Sequence, residues 1–270
     1  MAGSELNVYP TLFHVFGVRI DSYSVIWFIA LSIAILWSIK RLSLYGLDEY
    51  ESRRVMAFSF FFMLLGARSF EYIVHWRQYV NNPSLFLDIN RGGVHEFGAV
   101  AGAFLSALVM CMVGKKVSFS KLCDAASPPA ILAIAIGRWG CFLNGCCVGV
   151  PSKFCMAVHF PFDRTGILRH PVQIYYSVIA FIIVGILLFV ERKVLPLQLR
   201  QKTHYSVVAP LAVILYSLMR YSMIPFRDYM PFFWIVTHII TYKGINILLP
   251  FMLVWLLHSS LRLKSAIKIG

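Results

Sequence analysis

Long apolar stretches, each closed off by a cluster of charged or turn-forming residues, set the rhythm of this chain. Seven stand out, at 20–39, 55–74, 97–114, 124–143, 172–190, 205–224 and 244–259. Each is continuously apolar over roughly twenty residues, the length of a helix that crosses the hydrocarbon core. Strands of a membrane barrel would instead alternate in polarity over about ten. The pattern predicts an all-α polytopic membrane protein, a seven-transmembrane-helix bundle. No internal repeat or long linker separates the runs, so 1–270 reads as a single membrane domain. The seventh run is short for a span. The preceding stretch MPFFWIVTHII (230–240) either lengthens it or lies in the interface.

Composition agrees: 59% of the 270 residues are hydrophobic and only 14% charged, where a soluble domain carries about a quarter charged. A net charge of +13 would point to nucleic acid in a soluble protein. Here the basic residues sit mostly in short loops, which suits a membrane surface and excludes a nucleic-acid partner. The first nineteen residues lack the basic start and apolar core of a cleavable signal, so the first span is expected to serve as the targeting element.

Lys and Arg placement orients the bundle. Counting loops alternately from an outside start, the inner set holds fourteen and the outer set eight of the 25 Lys and Arg residues. The amino terminus is therefore expected outside and the carboxyl terminus in the cytoplasm.

Three arginines remain, inside the runs: Arg68, Arg138 and Arg220. A cation at that depth is costly and usually faces a polar interior with a partner. The topology puts all three in the outer half of the membrane, from separate helices. Tyr23, Glu71, His95, Glu96, Asn144 and the run RHPVQIYY (169–176) fall at the same level. Glu71, three residues after Arg68, shares its helix face. Arg138 and Arg220 have no acid within a turn. An anion with oxygens suited to bidentate guanidinium contacts, such as the phosphate of a phospholipid headgroup, is the economical neutraliser.

Several segments, in order, resemble the prolipoprotein diacylglyceryl transferase family. DSYSVIWF (21–28) is similar to the family's first-helix W-Y-G segment and places Tyr23 on its tyrosine. GAR (66–68) matches the second-helix G-A-R. GGVHEFGAVAG (92–102) resembles G-G-M-S-F-H-G-G-L-I-G. GRWGCFLNGCCVG (137–149) resembles the signature G-R-x-G-N-F-x-N-G-E-x-x-G. RHPVQIYY is similar to R-H-P-S-Q-L-Y-E, and YSLMRYSMIPFRD (216–228) to Y-G-x-x-R-F-x-x-E-x-x-R-x-P-D. The resemblance implies a multi-pass enzyme of the bacterial inner membrane that moves a diacylglyceryl group from phosphatidylglycerol to the lipobox cysteine thiol of a prolipoprotein signal peptide, releasing glycerol phosphate. It implies membrane lipid as a further partner, and no cofactor.

The resemblance also implies roles. Arg138 and Arg220 would bind the phosphate and stabilise charge on the departing oxygen. Arg68 would help hold the lipid. Asn144, Gly145 and Gly149 would shape the signature turn, and Tyr23, His170, Gln173 and Tyr216 would line or orient the site. The departures fall on acid–base positions. The family's third-helix histidine falls on Phe97; His95 is two residues earlier, about 200° around a helix. The signature's first asparagine is Cys141, its glutamate is Cys146, and the sixth-helix glutamate is Ile224. His95, His170 and Glu96 are the candidate bases for the acceptor thiol.

Four of the six cysteines, Cys141, Cys146, Cys147 and Cys155, cluster near the outer face, where oxidation is possible. Their C-x4-C-C-x7-C spacing departs from linear zinc motifs, so no metal is expected. A disulfide, with Cys155 as a partner for Cys146 or Cys147, suits them better than a metal, and free thiols are the alternative. Cys111 and Cys123 read as small apolar filler.

Overall fold

The helices run past the apolar stretches wherever a charged residue suits a helix end. In the computed structural model, which describes residues 11–15, 18–86, 96–113, 118–160, 166–195, 200, 206–228 and 244–269, α1 spans Ser22–Leu44 and α2 Glu49–Val74. The second begins six residues before its apolar run because Asp48 caps it, accepting from the Glu51 amide at 2.8 Å. Glu49 and Glu51 in its first turn complement the helix dipole. A short α3 (Trp76–Asn81) follows, then α4 (Glu96–Val113) and α5 (Phe119–Leu143). Helix α6 (Val172–Val194) carries Arg192 and Lys193 in its last turn, again the favourable end for cations. Helix α7 covers Val208–Ser222 and α8 Gly244–Ile269. The stretch 230–240 and His95 lie outside the described residues.

Among the described residues, five stretches are long and apolar enough to cross a membrane: α1, α2, α5, α6, and α7 with the short turn after it, Val208–Phe226. The chain is a multi-pass helical membrane protein. One feature departs from the all-α expectation: Thr11–Val15 (β1) and Val18–Asp21 (β2) pair antiparallel just before α1.

Helix α5 runs opposite to both α1 and α6, and in the same direction as α7. The end of α5 meets the start of α1, where Gly137 faces the Trp27 ring and Gly140 faces Tyr23. Ser177 of α6 donates to the Ala135 carbonyl of α5 at 2.7 Å. The core lies between α5, α6 and α7 and includes Ile131, Ala135, Tyr176, Ala180, Leu187, Val208 and Met219. Two ends of the bundle result. One gathers Tyr23, Arg138, Gln173 and Arg220; the other gathers Arg41, Asp124 and Glu191.

Helices α2 and α4 make a pair of their own. Gly98 and Gly102 form a small-x-x-x-small stripe, the pattern that lets membrane helices approach closely. A Cβ on Gly102 would stand 2.0 Å from the Phe62 carbonyl oxygen, and one on Gly98 2.2 Å from that of Gly66. One turn on, the Ser106 hydroxyl donates to Ser59 Oγ at 3.0 Å. Gly102→Ala is expected to force the helices apart at a cost of about 1–3 kcal/mol, read as a lower melting temperature in detergent. Gly185→Ala, with nothing within 4 Å of the added carbon, should leave it unchanged or slightly raised.

Candidate active site

Asparagine followed by glycine at the end of an apolar helix is a stop signal, and α5 obeys it. Asn144 is the cap residue and Gly145 follows in the left-handed region at φ 66°. The Cys146 amide donates to the Cys141 carbonyl at 3.1 Å, and the Gly145 amide to that of Phe142 at 3.0 Å. This is the Schellman pairing that satisfies the last carbonyls of a helix. Cys147 is also left-handed, at φ 59°, unusual for a residue with a Cβ.

The chain then threads between two segments. Gly149 donates to the His170 carbonyl at 3.1 Å, Val150 to that of Phe226 at 2.9 Å, and Asp228 back to Val148 at 3.1 Å. No side chain fits at 149, since a Cβ there would lie 2.5 Å from the His170 oxygen. Arg169 Nη1 donates to the Gly149 carbonyl and, at 2.6 Å, to Asp228 Oδ2. Buried Gln173 donates from Nε2 to the Cys146 carbonyl at 2.6 Å. The signature turn, the RHPVQ run and the segment after α7 are thus laced into one unit. His170 Nδ1 is 3.1 Å from the Tyr175 hydroxyl, and its ring stands edge-on to Phe226.

The two signature arginines converge on one aromatic ring. Arg138 Cζ lies 4.5 Å from the centre of Tyr176 and Arg220 Cζ 5.9 Å from it, both side chains being only 6% exposed. Cations over a ring face are attracted to it, yet two like charges at one ring repel each other. A shared anion would relieve that repulsion. Two buried polar atoms at the same end, Tyr176 Oη and Gln173 Oε1, have no hydrogen-bond partner among the described residues. The first can donate to an anion and the second can accept from a hydroxyl. Tyr216 packs against the core cluster that contains Tyr176. Tyr23 is within electrostatic reach of Arg138 and of Cys141, Cys146 and Cys147.

Other expected residues stand elsewhere. Arg68 is on α2, whose main packing partner is α4 rather than α6 or α7, and Glu71 pairs with His75 Nδ1 at 2.8 Å. The candidate disulfide does not form: all six cysteines are thiols, and Cys155 is exposed. Cys146 and Cys147 turn toward Cys141 instead, the three sulfurs lying within 4.8 Å of one another. Hydrogen bonds from the Cys141 and Cys146 thiols, with Arg227 and Arg138 beyond, hold the Cys147 thiol well below its usual range despite burial. Arg227 Nη2 donates to Cys147 Sγ at 3.5 Å. Sequence reasoning gave Tyr176 and Arg227 no role. For Tyr176 a signal existed, since it falls one turn after Gln173 on the same face.

Residues 10–259 match the family described as prolipoprotein diacylglyceryl transferase. The chain belongs to that family. It is 32% identical over 187 residues to the phosphatidylglycerol–prolipoprotein diacylglyceryl transferase of Clostridium tetani, covering 68% of this chain and 74% of that protein. The protein of the same name from Clostridium novyi is 33% identical over 190 residues, with the same coverage. That from Finegoldia magna is 25% identical over 209 residues, 77% of this chain and 79% of its own. Phe97, onto which the resemblance carries the family histidine, has its ring tilted against Phe70 with centres 6.4 Å apart. Two of the three clustered thiols, Cys141 and Cys146, stand where the resemblance carries the signature's asparagine and glutamate.

Proposed function

We propose that this chain is a phosphatidylglycerol–prolipoprotein diacylglyceryl transferase of the bacterial inner membrane. The observation that carries the reading is the pair of guanidinium groups, Arg138 and Arg220, held on the Tyr176 ring. The lipid phosphate sits between them. The acceptor, a lipobox cysteine, gives up its thiol proton to a base, for which His170 is the candidate among the described residues, or to solvent, and forms a sulfur–carbon bond to the glyceryl carbon. The carbon–oxygen bond to phosphate breaks, and its electron pair leaves with glycerol phosphate, whose growing charge the two arginines meet. Charge preorganised where it develops is commonly the largest contribution to rate. Tyr176 Oη donates to the same phosphate, and Gln173 Oε1 accepts from the headgroup glycerol. Asn144, Gly145 and Gly149 fix the turn that carries this end, His170 and Tyr216 support its walls, and Arg68 steers the anionic lipid inward.

Seven spans, with the amino terminus outside and the carboxyl terminus in the cytoplasm, complete the proposal. It is supported by Lys40, Arg41, Arg192, Lys193 and Arg200 gathering at the end opposite Arg138, as basic residues do on the cytoplasmic side. The test is the purified protein in detergent with labelled phosphatidylglycerol and a lipobox peptide. A thioether product is expected with the cysteine peptide and none with its serine counterpart. Absence of product from the cysteine peptide overturns the assignment.

A further inference from the structure

The family positions filled by Cys141 and Cys146 have not become apolar. Both carry thiols, and a third stands beside them at Cys147. The backbone presents all three to one point: the Schellman turn fixes Cys141 against Cys146, and the left-handed Cys147 brings the next side chain back to the same side. Their sulfurs lie within 4.8 Å of one another. Sulfurs bound tetrahedrally to Zn2+ at about 2.3 Å stand about 3.8 Å apart, so shifts of about 1 Å close the set.

We propose that Cys141, Cys146 and Cys147 form a three-thiolate Zn2+ site whose fourth position takes the thiolate of the acceptor cysteine. Thiolates are soft donors that suit this filled-shell ion. Three protein ligands with one open position are the arrangement of zinc sites that perform chemistry rather than brace a fold. Three thiolates on a divalent ion leave one negative charge, and a fourth leaves two. Arg227 donates to Cys147 Sγ from one side, and Arg138 is within electrostatic reach, so the site's surroundings oppose that charge.

The proposal rests on the transferase reading for the identity of the fourth ligand. On binding, the acceptor thiol releases its proton to solvent. Its sulfur then forms the bond to the glyceryl carbon as the carbon–oxygen bond breaks, and the electron pair departs with glycerol phosphate. The metal thereby activates the thiol where phenylalanine at 97 has no proton-accepting group.

The experiment uses the full chain in detergent, purified without chelator. Stoichiometric zinc is expected. After exchange for Co2+, sulfur-to-cobalt charge-transfer absorption and the intense visible bands of a tetrahedral thiolate site should appear. A lipobox cysteine peptide should shift the visible bands, and its serine counterpart should not. Cys146→Ser and Cys147→Ser should lose both zinc and charge-transfer absorption, and Cys155→Ser should keep them. Wild-type protein with neither signal overturns the proposal whatever the variants do, as does retention of Cu+ alone or a spectrum the peptide leaves unmoved. The two readings fail separately. Peptide-responsive cobalt bands without thioether product sink the transferase reading and leave the metal site. Transfer undiminished after exhaustive chelation sinks the metal site alone.

Discussion

Arg138→Lys is expected to lower diacylglyceryl transfer by about 100-fold or more while leaving the protein folded. Charge is conserved in this variant, so electrostatics at long range is unchanged. What is lost is the planar fork that grips two phosphate oxygens at once and stacks on an aromatic face. Both properties are in use here, because the guanidinium lies 4.5 Å from the Tyr176 ring centre. The partition between constants is informative. If Arg138 only held the ground-state lipid, KM would rise and kcat would stay. Charge that builds on the leaving oxygen makes kcat fall instead. Arg220→Lys should act in the same direction, and the double variant should lose less than the product of the two single losses, since both groups serve one phosphate. Arg53→Lys, an exposed substitution in a pair with Glu49, should be without effect. A folded Arg138→Lys protein with wild-type kcat and KM removes arginine–phosphate chemistry from the mechanism.

How much of this was legible in the sequence depends on the distance over which residues had to be brought together. Spans were readable because each is a local run, and the stop at Asn144–Gly145 because helix ends obey local rules. That Arg138 and Arg220 share one end of the bundle followed from alternating topology. Their meeting on one ring did not, because Tyr176, though it closes the RHPVQIYY run, carries no charge and nothing local shows which side chains of α5 and α7 its ring will face. The thiol cluster was hidden for a different reason. A linear spacing suggested pairing with Cys155, yet the turn angles at Gly145 and Cys147 decide where the sulfurs point, and these point to Cys141. Least legible was the opposite end of the bundle. Arg41 counted only as one more loop cation, and Glu191, 150 residues away in the chain, as nothing in particular.

Glu191→Ala is expected to destabilise the protein by about 3–5 kcal/mol, the cost of leaving a buried cation without its partner. Both carboxylate oxygens are committed. Oε2 accepts from Arg41 Nη1 at 3.0 Å, and Oε1 accepts from Arg41 Nη2 and from the Tyr45 hydroxyl, each at 2.7 Å. Arg200 Nη1 stands 3.5 Å away. Burial, then the nearby Asp124 and Glu191 carboxylates, push the Tyr45 hydroxyl above its usual range, so it remains a donor. Arg41 also donates to the Ala125 carbonyl from Nε at 2.8 Å, and Asp124 caps the start of α7 through the amides of Val207 and Ala209. Four helices are tied by this cluster, so its loss should lower the melting temperature in detergent more than any surface change. Pairing Glu191→Leu with Arg41→Met removes both charges and should recover part of the loss. What remains is set by Arg200, left without its carboxylate, by the acceptor taken from Tyr45, and by the donors taken from the Asp124 and Ala125 carbonyls, about 1–3 kcal/mol for each lost hydrogen bond. Glu191 and Tyr176 are fifteen residues apart on α6, about 22 Å along its axis. Below its melting temperature the Glu191→Ala protein should therefore keep wild-type kcat, the reverse of the Arg138 outcome. A melting temperature equal to wild type would mean that water reaches Arg41 once the carboxylate is gone, and that this end of the bundle is held by apolar packing alone.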